Sequence, residues 1–128
     1  MARILAIDDE EVVRLAVATT LRRFQHDVSV APDGESGVGL FREQIFDLVI
    51  TDVNMPGLSG PQVIREIRIL RPGIPVIIMG GGGSIPPLGP ELFAEHVGAN
   101  RALVKPFAMS QLVAAVAELV DEARVGKG

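Results

Sequence analysis

Four charged side chains carry the chemistry this sequence can do: the adjacent acids Asp8 and Asp9, then Asp52, then Lys105. Each closes a short apolar run: Ile4-Leu5-Ala6-Ile7 before the acid pair, Leu48-Val49-Ile50-Thr51 before Asp52, and Leu103-Val104 before Lys105. A hydrophobic strand that stops on a carboxylate or an ammonium delivers that charge to one rim of a sheet. Three carboxylates gathered at such a rim resist joint ionisation unless a cation joins them. A hard, oxygen-seeking ion such as Mg2+ meets that need and shares its coordination with a phosphoryl oxygen. Asp52 is then available as a nucleophile that forms an acyl phosphate, with Mg2+ and Lys105 neutralising charge. Taken singly, Asp8 or Asp9 would serve equally well as a helix cap, with Glu10 and Glu11 favouring a helix N-terminus. The joint spacing with Asp52 and Lys105 is what argues for a site.

For these groups to meet, the apolar runs must be neighbouring strands. Runs near residues 3–7, 27–31, 47–51, 74–79 and 101–104 alternate with longer segments of helical period, the signature of an α/β domain with a mainly parallel sheet. In the first long segment Val13, Ala16, Val17, Thr20, Leu21 and Phe24 form an inward stripe, leaving Val12 and Leu15 beside it. Met109, Leu112, Val113, Val116, Leu119 and Val120 repeat the pattern in the last, so its Met reads as core filler. The third helix has the clearest start, with Ser59 as cap, Gln62 completing a capping box and Pro61 tolerated in the first turn. The second opens near Asp33 and carries Gly37 and Gly39, each costing about 1 kcal/mol relative to Ala. Close packing on the sheet would justify one of them. Gly80-Gly81-Gly82-Gly83-Ser84, followed by Pro86, Pro87, Gly89 and Pro90, reads as a flexible loop, with Pro90 near the next helix start. Strand order is not readable from periodicity. A 2-1-3-4-5 order would set the first and third strands side by side, where ligands collect beyond the carboxyl ends of a doubly wound sheet.

Composition bounds the alternatives. The 128 residues fit one domain, with a core over about 3–123 and a short tail at 124–128, and 48% apolar content fills one core. A net charge of −4 without a Lys/Arg-rich block argues against nucleic-acid binding. The chain has no cysteine, which fits a reducing compartment. Its start meets acid at Asp8 before any signal-peptide core forms, and no apolar run reaches the roughly 20 residues of a membrane span. We therefore expect a cytoplasmic protein without membrane contact. Ten of the twelve basic residues are Arg, so Lys105 at a strand end points to a need for a compact point charge. His26 and His96 have no partner at a telling spacing and read as surface residues, and Arg65, Arg68 and Arg71 read as a solvated helix face.

The acid pair Asp8-Asp9, the segment Asp52-Val53-Asn54-Met55-Pro56-Gly57-Leu58-Ser59-Gly60, the strand Ile74-Pro75-Val76-Ile77-Ile78 and Lys105-Pro106-Phe107 together resemble the receiver domain of two-component response regulators. The resemblance runs from Arg3 to about Ala123. It implies a flavodoxin-like fold, a doubly wound five-stranded parallel sheet of order 2-1-3-4-5 with helices on both faces. It also implies a stand-alone, single-domain signalling protein that is not a dedicated enzyme. Asp52 would be the phosphoacceptor; Asp8 and Asp9, with Asp52 and the Asn54 backbone carbonyl, would form the Mg2+ site; Lys105 would contact the phosphoryl group. The donor would be a sensor histidine kinase or phosphotransfer protein, and an unknown downstream protein would read the modified domain, through a surface around the fourth and fifth helices. A cis bond before Pro106 is implied as well.

Two positions depart from the family pattern. Where the family usually places Ser or Thr at the end of the fourth strand, this chain has Gly80; where it often places an aromatic ring three residues before the lysine, this chain has Ala102. We expect the backbone N–H groups of Gly80 or Gly81 to replace the hydroxyl, with ordering of the glycine loop as the readout. The first alternative is a phosphorylation-silent adaptor that kept the fold but lost switching. A second is a Mg2+-dependent phosphatase with an aspartyl intermediate, for which no second acid is evident. A nucleotide or flavin module is disfavoured, because the glycine run lacks a following Gly-Lys-Ser/Thr and the chain has no Trp or Tyr for ring stacking.

Overall fold

Alternating apolar runs and amphipathic segments produce a regular β/α succession in the computed structural model, which describes residues 1–87 and 89–127, with side chains as far as residue 124. The order is β1 (Arg3–Ile7), α1 (Glu11–Arg23), β2 (Asp27–Ala31), α2 (Gly34–Glu43), β3 (Leu48–Asp52), α3 (Gly60–Leu70), β4 (Val76–Gly81), α4 (Pro90–Val97), β5 (Arg101–Lys105) and α5 (Met109–Lys127). The five strands are parallel and lie in the order β2-β1-β3-β4-β5. This is the topology in which β1 and β3 become neighbours at the point where the winding reverses.

Side-chain alternation along the strands builds two cores. Leu5, Ile7, Val49, Val76 and Ile78 face one side and pack with Val38, Phe41, Val63, Ile64 and Ile67 of α2 and α3. Ile4, Ala6, Leu48, Ile50, Ile77 and Met79 face the other and pack with Val17, Ala18 and Leu21 of α1 and Leu112, Val116 and Leu119 of α5. Strands buried on both faces read as continuous apolar runs, which is why they stand out in the sequence.

Local signals act as expected at several helix starts. Ser59 and Gln62 form a reciprocal capping box on α3, and the Asp33 carboxylate accepts from the Ser36 N–H at 2.7 Å to start α2. Gly37 is the glycine that packing demands, since a Cβ there would sit 2.3 Å from Ile7 Cδ1, whereas a Cβ on Gly39 would meet open space.

Other expectations are corrected. Phe24 falls past the end of α1 and is exposed, so the inward stripe stops at Leu21. β4 begins two residues later than expected and runs through Gly80 and Gly81, because these glycines pair with Val104 and Lys105 of β5. α5 continues to Lys127, through most of the stretch expected to be a tail, and Gly128 lies outside the described residues. Arg68 is not part of a solvated face: its guanidinium donates to the carbonyls of Gly98, Pro72 and Ile74 and to Asn100 Oδ1. Arg71 likewise donates to the Phe46 carbonyl, leaving Arg65 exposed. His26 is half-buried and its Nδ1 accepts from the Ala2 N–H at 3.1 Å. Among the described residues no helix is long and apolar enough to cross a membrane.

Candidate functional site

β1 and β3 pair with Ile7 opposite Thr51, so the next residues, Asp8 and Asp52, emerge side by side at the carboxyl rim. Both are buried, at 1% and 6% exposure. Lys105 closes β5, two strands away from β3, and its side chain reaches over β4 to join them. Its Nζ lies 3.1 Å from Asp8 Oδ2, 3.3 Å from Asp52 Oδ1 and 3.1 Å from Glu10 Oε1. Carboxylate oxygens of Asp8, Glu10 and Asp52 all fall within 4.8 Å of one another. Three hard oxygen donors facing one ammonium leave uncompensated negative charge, and this donor set suits Mg2+.

The electrostatics follow from burial. Burial pushes the Asp52 carboxyl up to about 6, the neighbouring Asp8 charge adds to the shift, and Lys105 opposes it. Asp8 is also raised, chiefly by burial, against the hydrogen bond from the Glu10 N–H and the charge of Lys105. Burial alone would lower Lys105, but the charges of Asp52 and Asp8 outweigh it and hold the ammonium above its ordinary range. These are the signs expected of crowded carboxylates at a rim that one cation only partly neutralises.

Asp9 does not join this group. It is exposed, and the carboxylates that meet are Asp8, Glu10 and Asp52. Successive side chains leave an extended segment on opposite sides, and the Glu10 N–H donates to Asp8 Oδ1 at 2.9 Å, forming a turn that brings Glu10 back over the site. Sequence reasoning took Glu10 for helix-end charge. The available signal was its position two residues after Asp8, the spacing of that turn.

The loop after β3 is tightly held behind Asp52. The Val53 N–H donates to the Met79 carbonyl at 2.8 Å and the Gly60 N–H to the Val53 carbonyl at 2.7 Å. A Cβ on Gly60 would lie 2.1 Å from the Asp52 carbonyl oxygen, so only glycine lets α3 start this close to the site. Asn54 follows on the exposed part of the loop, and its side-chain amide donates to Ser84 Oγ. The peptide between Lys105 and Pro106 is cis.

The glycine run is partly strand and partly turn. Gly80 and Gly81 belong to β4, and the turn that follows is closed by the Ser84 and Ile85 N–H groups donating to the Gly81 carbonyl at 2.9 and 3.1 Å. Ile85 is buried, which fixes the far side of the turn in the core. At the second departure, Ala102 packs against the α2/α3 core and borders a cleft of about 400 Å³ between α4 and β5.

Comparison with known proteins identifies the family. The family model for the response regulator receiver domain matches residues 4–117. The chain belongs to this family. It is 34% identical over 116 residues to the response regulator protein FleR of Pseudomonas aeruginosa, covering 91% of this chain and 24% of that protein. With the transcriptional regulatory protein PrrA of Mycobacterium tuberculosis the identity is 32% over 118 residues, covering 92% of this chain and 49% of that one. The chain therefore spans a quarter to a half of these curated relatives. Among solved structures, a response regulator receiver domain protein from Clostridium thermocellum superposes with a TM-score of 0.88 at 32% identity, covering 98% of both chains. The chemotaxis protein CheY4 of Vibrio cholerae gives a TM-score of 0.83 at 29% identity, covering 93% of this chain and 98% of that one. Receiver domains are signalling units that work with histidine kinases or phosphotransfer proteins, and the acid cluster of this one is consistent with the family's Mg2+ site.

Proposed function

We propose that residues 1–128 act as one receiver unit in which Asp52 accepts a phosphoryl group from the phosphohistidine of a sensor kinase or phosphotransfer protein. An Asp52 carboxylate oxygen forms the new bond to phosphorus, the bond from phosphorus to the histidine nitrogen breaks, and the imidazole leaves with the electron pair. Mg2+ would be held by Asp8 and Asp52 with the Asn54 carbonyl, and by a third carboxylate from the acidic turn, where Glu10 lies within reach and Asp9 is its neighbour. Bound there, the ion supplies charge neutralisation to the phosphoryl oxygens.

The residues of the chain do the rest. Burial holds Asp52 away from bulk water, and its carboxylate is ionised above about pH 6. Lys105 gives up part of its bonding to the acids and donates to a phosphoryl oxygen, as a point charge on a slim stem. The backbone N–H of Gly80 or Gly81, at the β4 end of the same rim, completes the cradle. The modified rim then changes which protein the domain binds, through its outer helices.

The observation that carries this reading is the convergence of Lys105 on Asp8 and Asp52 from three strands. A silent adaptor is the competing reading, favoured by the absence of side chains at Gly80 and of a ring at Ala102. Incubation with acetyl phosphate and Mg2+ separates the two. Acid-labile phosphate on wild type that is missing from Asp52→Asn supports phosphoryl transfer, and its absence from both supports the adaptor.

A further inference from the structure

We infer that Ser84 supplies the hydroxyl that the end of β4 lacks: its Oγ, held by the Asn54 side chain, turns to donate to a phosphoryl oxygen on Asp52. The inference rests on the phosphoacceptor reading above and names one further contact in that site.

Gly80 cannot take a side chain cheaply. A Cβ built there lies 2.7 Å from Val53 Cγ2, and Val53 is itself buried in the α2/α3 core. A hydroxyl at this strand end must therefore come from elsewhere. The turn after β4 brings one back. The two N–H bonds to the Gly81 carbonyl and the buried Ile85 fold the chain over its own strand end, and Ser84 Cβ comes within 3.3 Å of the position a Gly80 Cβ would occupy. Four residues further along the chain, Ser84 thus stands almost where a residue 80 side chain would stand.

Its bonding state also fits. Ser84 Oγ accepts from the Asn54 amide, and Asn54 is two residues past Asp52, so the hydroxyl is held at the loop that carries the acceptor. Because the oxygen is the acceptor in that bond, its own O–H is free to donate. Thr51 Oγ1, by contrast, already donates its proton to the Asp52 carbonyl. A phosphoryl group on Asp52 would present three outer oxygens, with Lys105 on one flank of Asp52 and Ser84 folded over the end of β4, the strand that pairs with Asp52, on another. The contact is a hydrogen bond and makes or breaks no covalent bond.

The test uses beryllium fluoride with Mg2+ as a phosphoryl mimic, titrated by calorimetry into wild type, Ser84→Ala, Ser84→Thr and Asp52→Asn. One hydrogen bond to a charged oxygen corresponds to a loss of about tenfold or more in affinity for Ser84→Ala. Ser84→Thr, which keeps the hydroxyl, should bind within about threefold of wild type, a difference smaller than one such bond. Amide exchange at residues 82–85 should slow on mimic binding in wild type and not in Ser84→Ala. Unliganded Ser84→Ala should melt at the wild-type temperature, separating lost contact from lost fold. Equal affinity of Ser84→Ala and wild type, or a loss that Thr does not recover, overturns the inference and leaves Asp52 as phosphoacceptor. Wild type that binds the mimic no better than Asp52→Asn overturns both.

Discussion

Lys105 Nζ sits 3.3 Å from Asp52 Oδ1 although their strands are not neighbours, because β4 runs between β3 and β5 and the lysine spans it. The same ammonium touches Asp8 and Glu10, so one cation serves three acids. Removing it leaves two buried carboxylates without a counter-charge, a change far more costly than loss of a surface pair. Lys105→Ala should raise the Asp52 carboxyl above its value of about 6. Carbon NMR titration of the aspartate carboxyls measures the shift. The same variant should slow phosphoryl uptake from acetyl phosphate by at least about tenfold, the scale expected when a preorganised positive group at the reacting oxygen is removed.

The raised Asp52 value makes stability depend on pH in a defined direction. The folded state holds the Asp52 proton more tightly than the unfolded chain, so stability falls as pH rises from about 4 towards 6 and the penalty is complete above that window. Asp52→Asn removes the penalty. In the presence of a chelator, the variant should be more stable than wild type by on the order of 2 kcal/mol at about pH 7.5, with the gain vanishing near pH 4. Urea unfolding at the two pH values measures the difference, and an equal gain at both would contradict the electrostatic origin.

Divalent cation should relieve the same repulsion. Mg2+ added to wild type at a hundredfold excess over its dissociation constant should stabilise the fold by about 2.7 kcal/mol, and chelation should reverse it. Asp8→Asn and Asp52→Asn should each lose most of this response in thermal melts, since each removes a carboxylate from a cluster only 4.8 Å across.

Two glycine substitutions separate packing from propensity. Gly60→Ala drives a Cβ to 2.1 Å from the Asp52 carbonyl oxygen and should destabilise by about 2 to 3 kcal/mol while displacing the loop that follows Asp52. Gly39→Ala meets nothing within 4 Å at a half-buried helix position and should stabilise by about 0.5 to 1 kcal/mol. Chemical denaturation of the two variants measures both, and a stable Gly60→Ala would contradict the close approach of α3 to Asp52.

What the sequence revealed and what it hid divide along physical lines. β1, β3 and β4 were legible because strands buried on both faces leave unbroken apolar runs, and the α3 start was legible because a capping box is local. Lys105 and Asp52 were legible as strand-ending charges, although their meeting required the strand order. Glu10 was hidden because its place beside Asp8 and Asp52 depends on a turn that folds it back over Asp8. Arg68 looked solvated because its carbonyl partners come from residues 72, 74 and 98, beyond its own helix. The glycine run looked like free loop because nothing in its composition announces that half of it pairs with β5, or that Ser84 returns over Gly80.

Intact-mass spectrometry followed by peptide mapping tests the central claim most directly, with wild type and Asp52→Asn each incubated with acetyl phosphate in Mg2+ or in chelator. Wild type in Mg2+ should gain one phosphoryl group, acid-labile and confined to the peptide containing Asp52, while the other three samples gain none. A phosphoryl group on Asp52→Asn, or an unchanged wild-type mass in Mg2+, would contradict it.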